Sequence, residues 1–439
     1  MRRVIIVAPH FPPSNLASVH RSRLFATHLR EFGWEPVIVT VHSDFYEETL
    51  DPQLTALVPQ ELRVERVPAI PLKPVRLIGN IGVRGFFPML KRILRLIDSE
   101  SIDFLYITVP SFFAAPLGRI VHALRGTPYG IDYIDPWVHV WPGSEKFGTK
   151  HWISRKLGEW LEPFAVRKAS LITGVAERYF RDVLLRNPHL ERSAVTAAMP
   201  YGGEKSDHRF VRSARIAPYL FDPTDGLLHI VYAGAMLPRA YPVLEQVFRS
   251  MAQDRDAFEG TRFHFIGTGS SPDDPSSHTI KPVAERFGLW GSLISEHPAR
   301  IPYLDVLAHL EAASGVFILG STEAHYTPSK VYQGVLSQKP ILAVLHARST
   351  ACQVIRSTRA GLVVSFETPA DIEQLSATFA ETFREFRKLM ARFDASKVDQ
   401  EVFEEYSARN VTRQLADALT RAVSPQTLQS VSNSTPRSN

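Results

Sequence analysis

The chain has 439 residues, 44% of them hydrophobic and 22% charged, a length beyond what one hydrophobic core supports and a composition that excludes wholesale disorder. Its 50 basic and 45 acidic residues leave a net charge of +5, too mild an excess to mark a nucleic-acid binder, and no basic stripe with interleaved aromatics points to one. The lone cysteine, Cys352, cannot form an intramolecular disulfide and is expected as inert core in a reducing compartment, which points to the cytoplasm.

At the start of the chain, Arg2 and Arg3 precede a short apolar run, Val4 to Ala8. The run is too brief for a signal-peptide core and is expected as a first strand. His10-Phe11-Pro12-Pro13-Ser14-Asn15 follows it, then a helix from about Ala17 to Phe32 closed by Gly33. Asn15 and His20 fall near the start of that helix. Arg21 shares a stripe with Phe25, Leu29 and Phe32, so an arginine sits on the core-facing side. It serves either a ligand or a structural ion pair with Asp132 or Asp135. No Gly-x-Gly-x-x-Gly follows the strand, which disfavours a nicotinamide or flavin dinucleotide.

Further strand-like runs cover Pro36 to Val41, Phe104 to Thr108, Tyr129 to Ile134, Leu171 to Val175 and Val195 to Met199. Between the first two of these, from Leu72 to Ile97, Lys73, Arg76, Arg84, Lys91, Arg92 and Arg95 are interleaved with apolar residues and no acid. The segment reads either as a basic amphipathic element on an anionic membrane or as a helix with its apolar side in the core. After Tyr129 to Ile134 comes Asp135-Pro136-Trp137-Val138-His139. A carboxylate at a strand's carboxyl end, followed by a proline, faces a cleft, so Asp135 is a candidate base or hydroxyl acceptor and His139 a second proton-handling group.

A polar, proline-containing stretch from Gly203 to Gly226 is expected as the linker, because the strand pattern then restarts. The new runs are His229 to Ala233, Arg262 to Ile266, Leu293 to His297, Val316 to Leu319, Ile341 to Leu345 and Leu362 to Phe366. Alternation of strands and helices predicts an α/β fold of two doubly wound, Rossmann-like domains facing across a cleft. The expected division is 1–215, 226–398, a helical segment 399–423 that packs on either domain and is placed back on the first, and a disordered Ser-, Asn- and Thr-rich tail over 424–439. Nowhere do 18 uncharged apolar residues run together, so no spanning helix is expected and the chain is read as soluble or peripheral.

Within the second half, Gly234 allows a sharp turn after the first strand and Arg239 stands near the next helix, where basic charge favours phosphate. Gly267 opens a second small-residue turn. In Tyr326-Thr327-Pro328-Ser329-Lys330, Thr327 is read as the cap of a helix starting at Pro328, with Ser329 and Lys330 in its first turn. A lysine there opposes the helix dipole, which suggests a diphosphate nearby, and Gln333 lies one turn on, within reach of a ribose. No His-Glu-x-x-His, cysteine pair or aspartate triad supplies metal ligands, so neither a metal nor a tightly bound cofactor is expected.

Taken together, these residues resemble the GT-B glycosyltransferases of the family 4 type that makes bacterial surface polysaccharides. The resemblance rests on His10 to Arg23, Asp135 to Trp137, Tyr232 to Gly234, His297 with Arg300 to Tyr303, Pro328 to Gln333, and Gln338 to Pro340. It implies an acceptor-binding first domain, with Asn15, His20, Arg21 and Trp137 on the acceptor side. It also implies a second domain that binds a nucleotide-diphosphate-sugar through Gly234, Gly267, His297, Thr327, Ser329, Lys330 and Gln333. Asp135, His139, Arg239 and Lys330 would then serve transfer of the sugar to a hydroxyl of a lipid-linked or polysaccharide acceptor, metal-independent and retaining, at the inner face of the membrane. Two departures stand out: where the family often has a pair of glutamates, this chain has His325 and Gln333, and only Arg239 and Lys330 are evident as diphosphate cations. A nucleotide-sugar 2-epimerase and a non-catalytic nucleotide-sugar-binding subunit are the alternatives.

Overall fold

A computed structural model describes residues 1–72, 79–109, 111–138, 146–323 and 326–424. Two parallel sheets organise the chain. The first contains β1 (Arg2–Val7), β2 (Trp34–Val41), β3 (Arg63–Val67), β4 (Phe104–Val109), β5 (Tyr129–Tyr133), β6 (Leu171–Gly174) and β7 (Val195–Ala198), in the order β3-β2-β1-β4-β5-β6-β7. The second contains β8 (Leu228–Ala233), β9 (Thr261–Ile266), β10 (Ile294–His297), β11 (Gly315–Leu319), β12 (Ile341–His346) and β13 (Gly361–Phe366), in the order β10-β9-β8-β11-β12-β13. All the predicted strand runs are strands. Central strands such as β1, β4 and β12 are buried on both faces, which is why their sequences are continuous apolar runs rather than alternations.

β3 escapes the apolar-run criterion. Its sequence is RVERV and only Val67 is buried. An edge strand has one neighbour and tolerates charge, and Arg63 and Glu65 pair with each other across 2.7 Å, so no apolar signature is required there.

Strand order reverses between β1 and β4 in the first sheet and between β8 and β11 in the second, and open α/β sheets bind ligands at such points. Each sheet is covered on both faces by helices, with two apolar clusters per domain.

The stretch expected as linker is not all loop: a helix, Lys205–Ala214, lies within it. Glu204 caps this helix by accepting from the Ser206 amide, and Val211 is buried in the second domain's cluster. Highly charged sequence hides its single apolar stripe. The chain crosses back between the domains beside this point, where Gly203 bridges Ser407 and its carbonyl accepts from the Ala408 amide at 2.8 Å. The helix that follows, Ala408–Val423, buries Val411, Leu415 and Leu419 against β7 and the Ala17–His28 helix of the first domain. Residues 425–439, most of the predicted tail, lie outside the described residues.

The Leu72 to Ile97 segment is described from Gly79 onward, apart from Leu72. The Phe86–Ser99 helix buries Met89, Ile93 and Leu96 in the core. Arg84 is buried and donates to the carbonyls of Ile70 and Phe45, and Arg92 pairs with Glu65. The apolar side of this helix therefore faces protein, the second of the two readings given for the segment. Lys73 and Arg76 are outside the described residues.

Candidate active site

The carboxyl ends of the two sheets enclose a cleft of about 390 Å³. Asn15, His20, Asp135, Tyr179, Tyr201 and Gly202 line it from the first domain, and Gly234, Gly267, Arg300, Tyr326, Thr327, Ser329, Lys330 and Gln333 from the second. Residues scattered over more than three hundred positions of sequence thus converge because parallel strands deliver their following loops to the same end of each sheet.

Lys330 is the dominant electrostatic feature. Its ammonium lies 3.6 Å from the centroid of the Tyr232 ring, and its Nζ has no hydrogen-bond partner. Burial pushes its pKa down to about 7, since the charged form loses hydration without gaining a counter-charge. The tyrosine face offsets part of that cost through its quadrupole. A buried cation without an acceptor is destabilising unless a ligand supplies one.

Gly234 and Gly267 end the neighbouring strands β8 and β9 with φ of +113° and +70°, a region that L side chains avoid. A Cβ on Gly234 would stand 3.4 Å from the Lys330 Nζ. Gly234 therefore opens the space in front of the lysine, while Gly267 lets the Arg300 and Gly234 backbones approach it, and the Gly267 amide is anchored by the His297 carbonyl at 2.7 Å.

The second cation at the cleft is Arg300, which lines it. Arg239 does not: its side chain is 53% exposed, 3.5 Å from Glu323. Arg300 was visible in the sequence only as part of a turn before a helix. What brings it to the site is the β10 to helix connection, which folds its backbone to within 4.0 Å of the point where a Gly267 side chain would begin.

Thr327 does not cap the helix. The helix starts at Lys330, with Ser329 at the cap position and no side-chain cap bond, while the Thr327 hydroxyl pairs with that of Thr350 at 2.9 Å. Thr327 and Ser329 still line the cleft. Gln333, one turn along, is held by His208 at 3.0 Å, and the other ring nitrogen of His208 lies 2.7 Å from Glu311. Gln333 is thus linked to a carboxylate through one imidazole, in a chain that carries an amide where the resembling family often has an acid.

On the opposite wall Asp135 is exposed to the cleft, and its charge raises the phenol pKa values of Tyr179, Tyr201 and Tyr326 after burial has done most of the work. His20 contacts Asn15 at 3.2 Å through Nε2 and leaves Nδ1 without a partner. Burial, with Arg23 and Arg300 nearby, pushes its pKa down to about 3. A neutral imidazole of this kind offers a lone pair to a hydroxyl and is a poor proton carrier at neutral pH. Asn15 also reaches the Ile301 carbonyl of the second domain at 3.4 Å.

Three further expected site residues, besides Arg239, stand elsewhere. Arg21 is fully buried and binds Asp132 through two nitrogens at 2.6 and 2.9 Å, while its third nitrogen, Nη1, donates to the Met199 and Pro200 carbonyls, so it braces the domain and does not line the cleft. Trp137 is buried, stacked on Phe112 at 5.6 Å, with Gly158 of the Lys150–Val166 helix so close that a Cβ there would lie 3.1 Å from the indole. It supports the Asp135 loop from behind. The ring of His297 stacks on His264 and is not among the cleft-lining groups. His139 and His325 lie outside the described residues. Among the described residues no three His, Cys, Asp or Glu side chains are grouped to hold a metal ion.

Residues 18–202 match the family model of the glycosyl transferase 4-like domain. Among solved structures, HepE of Anabaena in complex with UDP-glucose aligns over 96% of this chain and 100% of its own at 13% identity and a TM-score of 0.61. Sucrose-phosphate synthase from Thermosynechococcus elongatus aligns over 96% and 99% at 12% identity and a TM-score of 0.60. A UDP-forming trehalose-phosphate synthase from Burkholderia xenovorans aligns over 97% and 100% at 13% identity and a TM-score of 0.61. No curated protein sequence matches the chain. With two parallel-sheet domains, a cleft at both switch points and structural neighbours that align over nearly its whole length, the chain has the fold of the GT-B glycosyltransferases.

Proposed function

We propose that this protein transfers a glycosyl group from a nucleotide-diphosphate-sugar to a hydroxyl of a lipid-linked or polysaccharide acceptor, with retention and without a metal. The observation that carries the reading is Lys330: a buried, unpartnered ammonium facing the interdomain cleft. The complexes of HepE with UDP-glucose and with UDP support a uridine nucleotide as the first donor to test.

As the glycosidic bond breaks, negative charge accumulates on the leaving diphosphate. Lys330 and Arg300 then stabilise the transition state more than the ground state, the role a divalent ion would otherwise fill. Gln333, oriented by His208, donates to a ribose hydroxyl. Across the cleft, Asp135, His20 and Asn15 orient the acceptor or sugar hydroxyls. Asp135 is the sole carboxylate lining the described cleft, which favours transfer over the 2-epimerase reading, since epimerisation needs acids to manage a proton at the sugar.

Calorimetric titration with UDP, GDP and ADP tests the proposal. Binding of one nucleotide by the wild type and its loss in Lys330→Ala is expected; no binding of any by folded protein overturns it. Slow hydrolysis of the matching nucleotide-sugar without a partner then separates an enzyme from a binding subunit.

A further inference from the structure

Large apolar side chains are concentrated on one exposed face away from the cleft. Along the Lys150–Val166 helix, Ile153, Leu157, Trp160 and Phe164 are 47%, 41%, 73% and 45% exposed, and Phe147, just before the helix, is 85% exposed. Spacings of four, three and four place the four helical residues on one stripe. The opposite side of the helix is spoken for: Gly158 packs on Trp137, Ala165 and Val166 are in the core, and Glu162 binds Arg186. Monomeric proteins rarely leave so many contiguous apolar groups in water without a partner.

Charge identifies that partner. From Lys146 to Lys168 the chain carries six basic residues and two acidic ones. Both acids are engaged, Glu159 by Lys156 and Arg155 and Glu162 by Arg186, while Lys146, Arg167 and Lys168 are exposed at the two ends of the stripe. A second copy of the chain meeting this face through a two-fold axis would bring like charges together. An apolar stripe bracketed by cations suits an anionic lipid surface, where the aromatic groups enter the headgroup boundary and the cations meet phosphate.

We infer that the Lys150–Val166 helix, with Phe147, docks the protein on an anionic membrane. No helix among the described residues is long and apolar enough to cross one, so the contact is peripheral. Through Gly158 the helix rests on Trp137, two residues from Asp135 in the cleft, so docking holds the acceptor wall beside the bilayer. The inference is independent of donor chemistry, and its test needs no nucleotide.

Co-sedimentation of the full chain with vesicles of equal parts phosphatidylglycerol and phosphatidylcholine is compared with vesicles of phosphatidylcholine alone. Wild type is expected to bind the anionic vesicles, and Trp160→Gln/Phe164→Gln to lose at least about tenfold in partitioning, given the apolar area withdrawn. Lys146→Glu/Lys168→Glu should lose the preference for anionic lipid. Phe87→Gln, on the core-packed helix Phe86–Ser99, should bind like wild type. An unchanged melting temperature and far-UV circular dichroism spectrum of the double glutamine variant show that it is folded. Absence of wild-type binding, equal binding by the glutamine variant, or a concentration-dependent dimer that this variant abolishes would each overturn the inference.

Discussion

Arg21 and Lys330 are both buried cations beside the same cleft, one in each domain, and their surroundings differ completely. Arg21 has a carboxylate, two carbonyls and the flank of Phe25 4.8 Å away. Lys330 has an aromatic face and no acceptor. A satisfied buried charge holds a fold together; an unsatisfied one waits for a ligand.

The largest effect that would sharpen this contrast is on stability. Asp132→Ala strands the Arg21 guanidinium and should cost about 3–5 kcal/mol, lowering the denaturation midpoint of the first domain; a midpoint within error of wild type would break the comparison. Lys330→Met should do the reverse without ligand, raising the melting temperature by on the order of 5 °C because an uncompensated charge is removed. The same substitution should weaken UDP binding about 100-fold, since a charge-assisted contact in a desolvated site is lost.

Proton linkage gives a subtler readout. A lysine with a pKa of about 7 when the site is empty must be protonated to meet a diphosphate, and the bound anion raises that pKa. UDP affinity is therefore full below pH 7 and falls by up to about tenfold per pH unit above it. Lys330→Ala should flatten the profile between pH 6 and about 9. Smaller still is the contrast between two arginines. Arg300→Ala should weaken UDP by roughly tenfold, whereas Arg239→Ala, exposed and beside Glu323, should stay within about threefold; the opposite ranking would return Arg239 to the site.

Much of the fold was legible because a doubly wound parallel sheet needs strands buried on both faces, and β1, β4 and β12 announce themselves as largely apolar runs. β3 and the Lys205–Ala214 helix did not, because an edge strand and a helix with one buried valine carry mostly charge. In the site, Gly234, Gly267, Lys330, Gln333 and Asp135 follow strands or open a helix, positions that the architecture sends to the cleft. Arg300 was passed over for Arg239 because both follow a strand and precede a helix, and only chain direction after β8 and β10 distinguishes them.

The sequence by itself determined the alternation of elements, hence the two parallel sheets and the end of each that carries the ligand loops. Tertiary structure alone decided which cations are paired. Arg21 meets Asp132 across 111 positions of chain, Gln333 meets His208 across 125, and Lys330 meets no acceptor at all. Local sequence records the period of burial, which propagates along a strand or helix. Charge satisfaction depends on groups brought together from distant segments, and no local pattern encodes it.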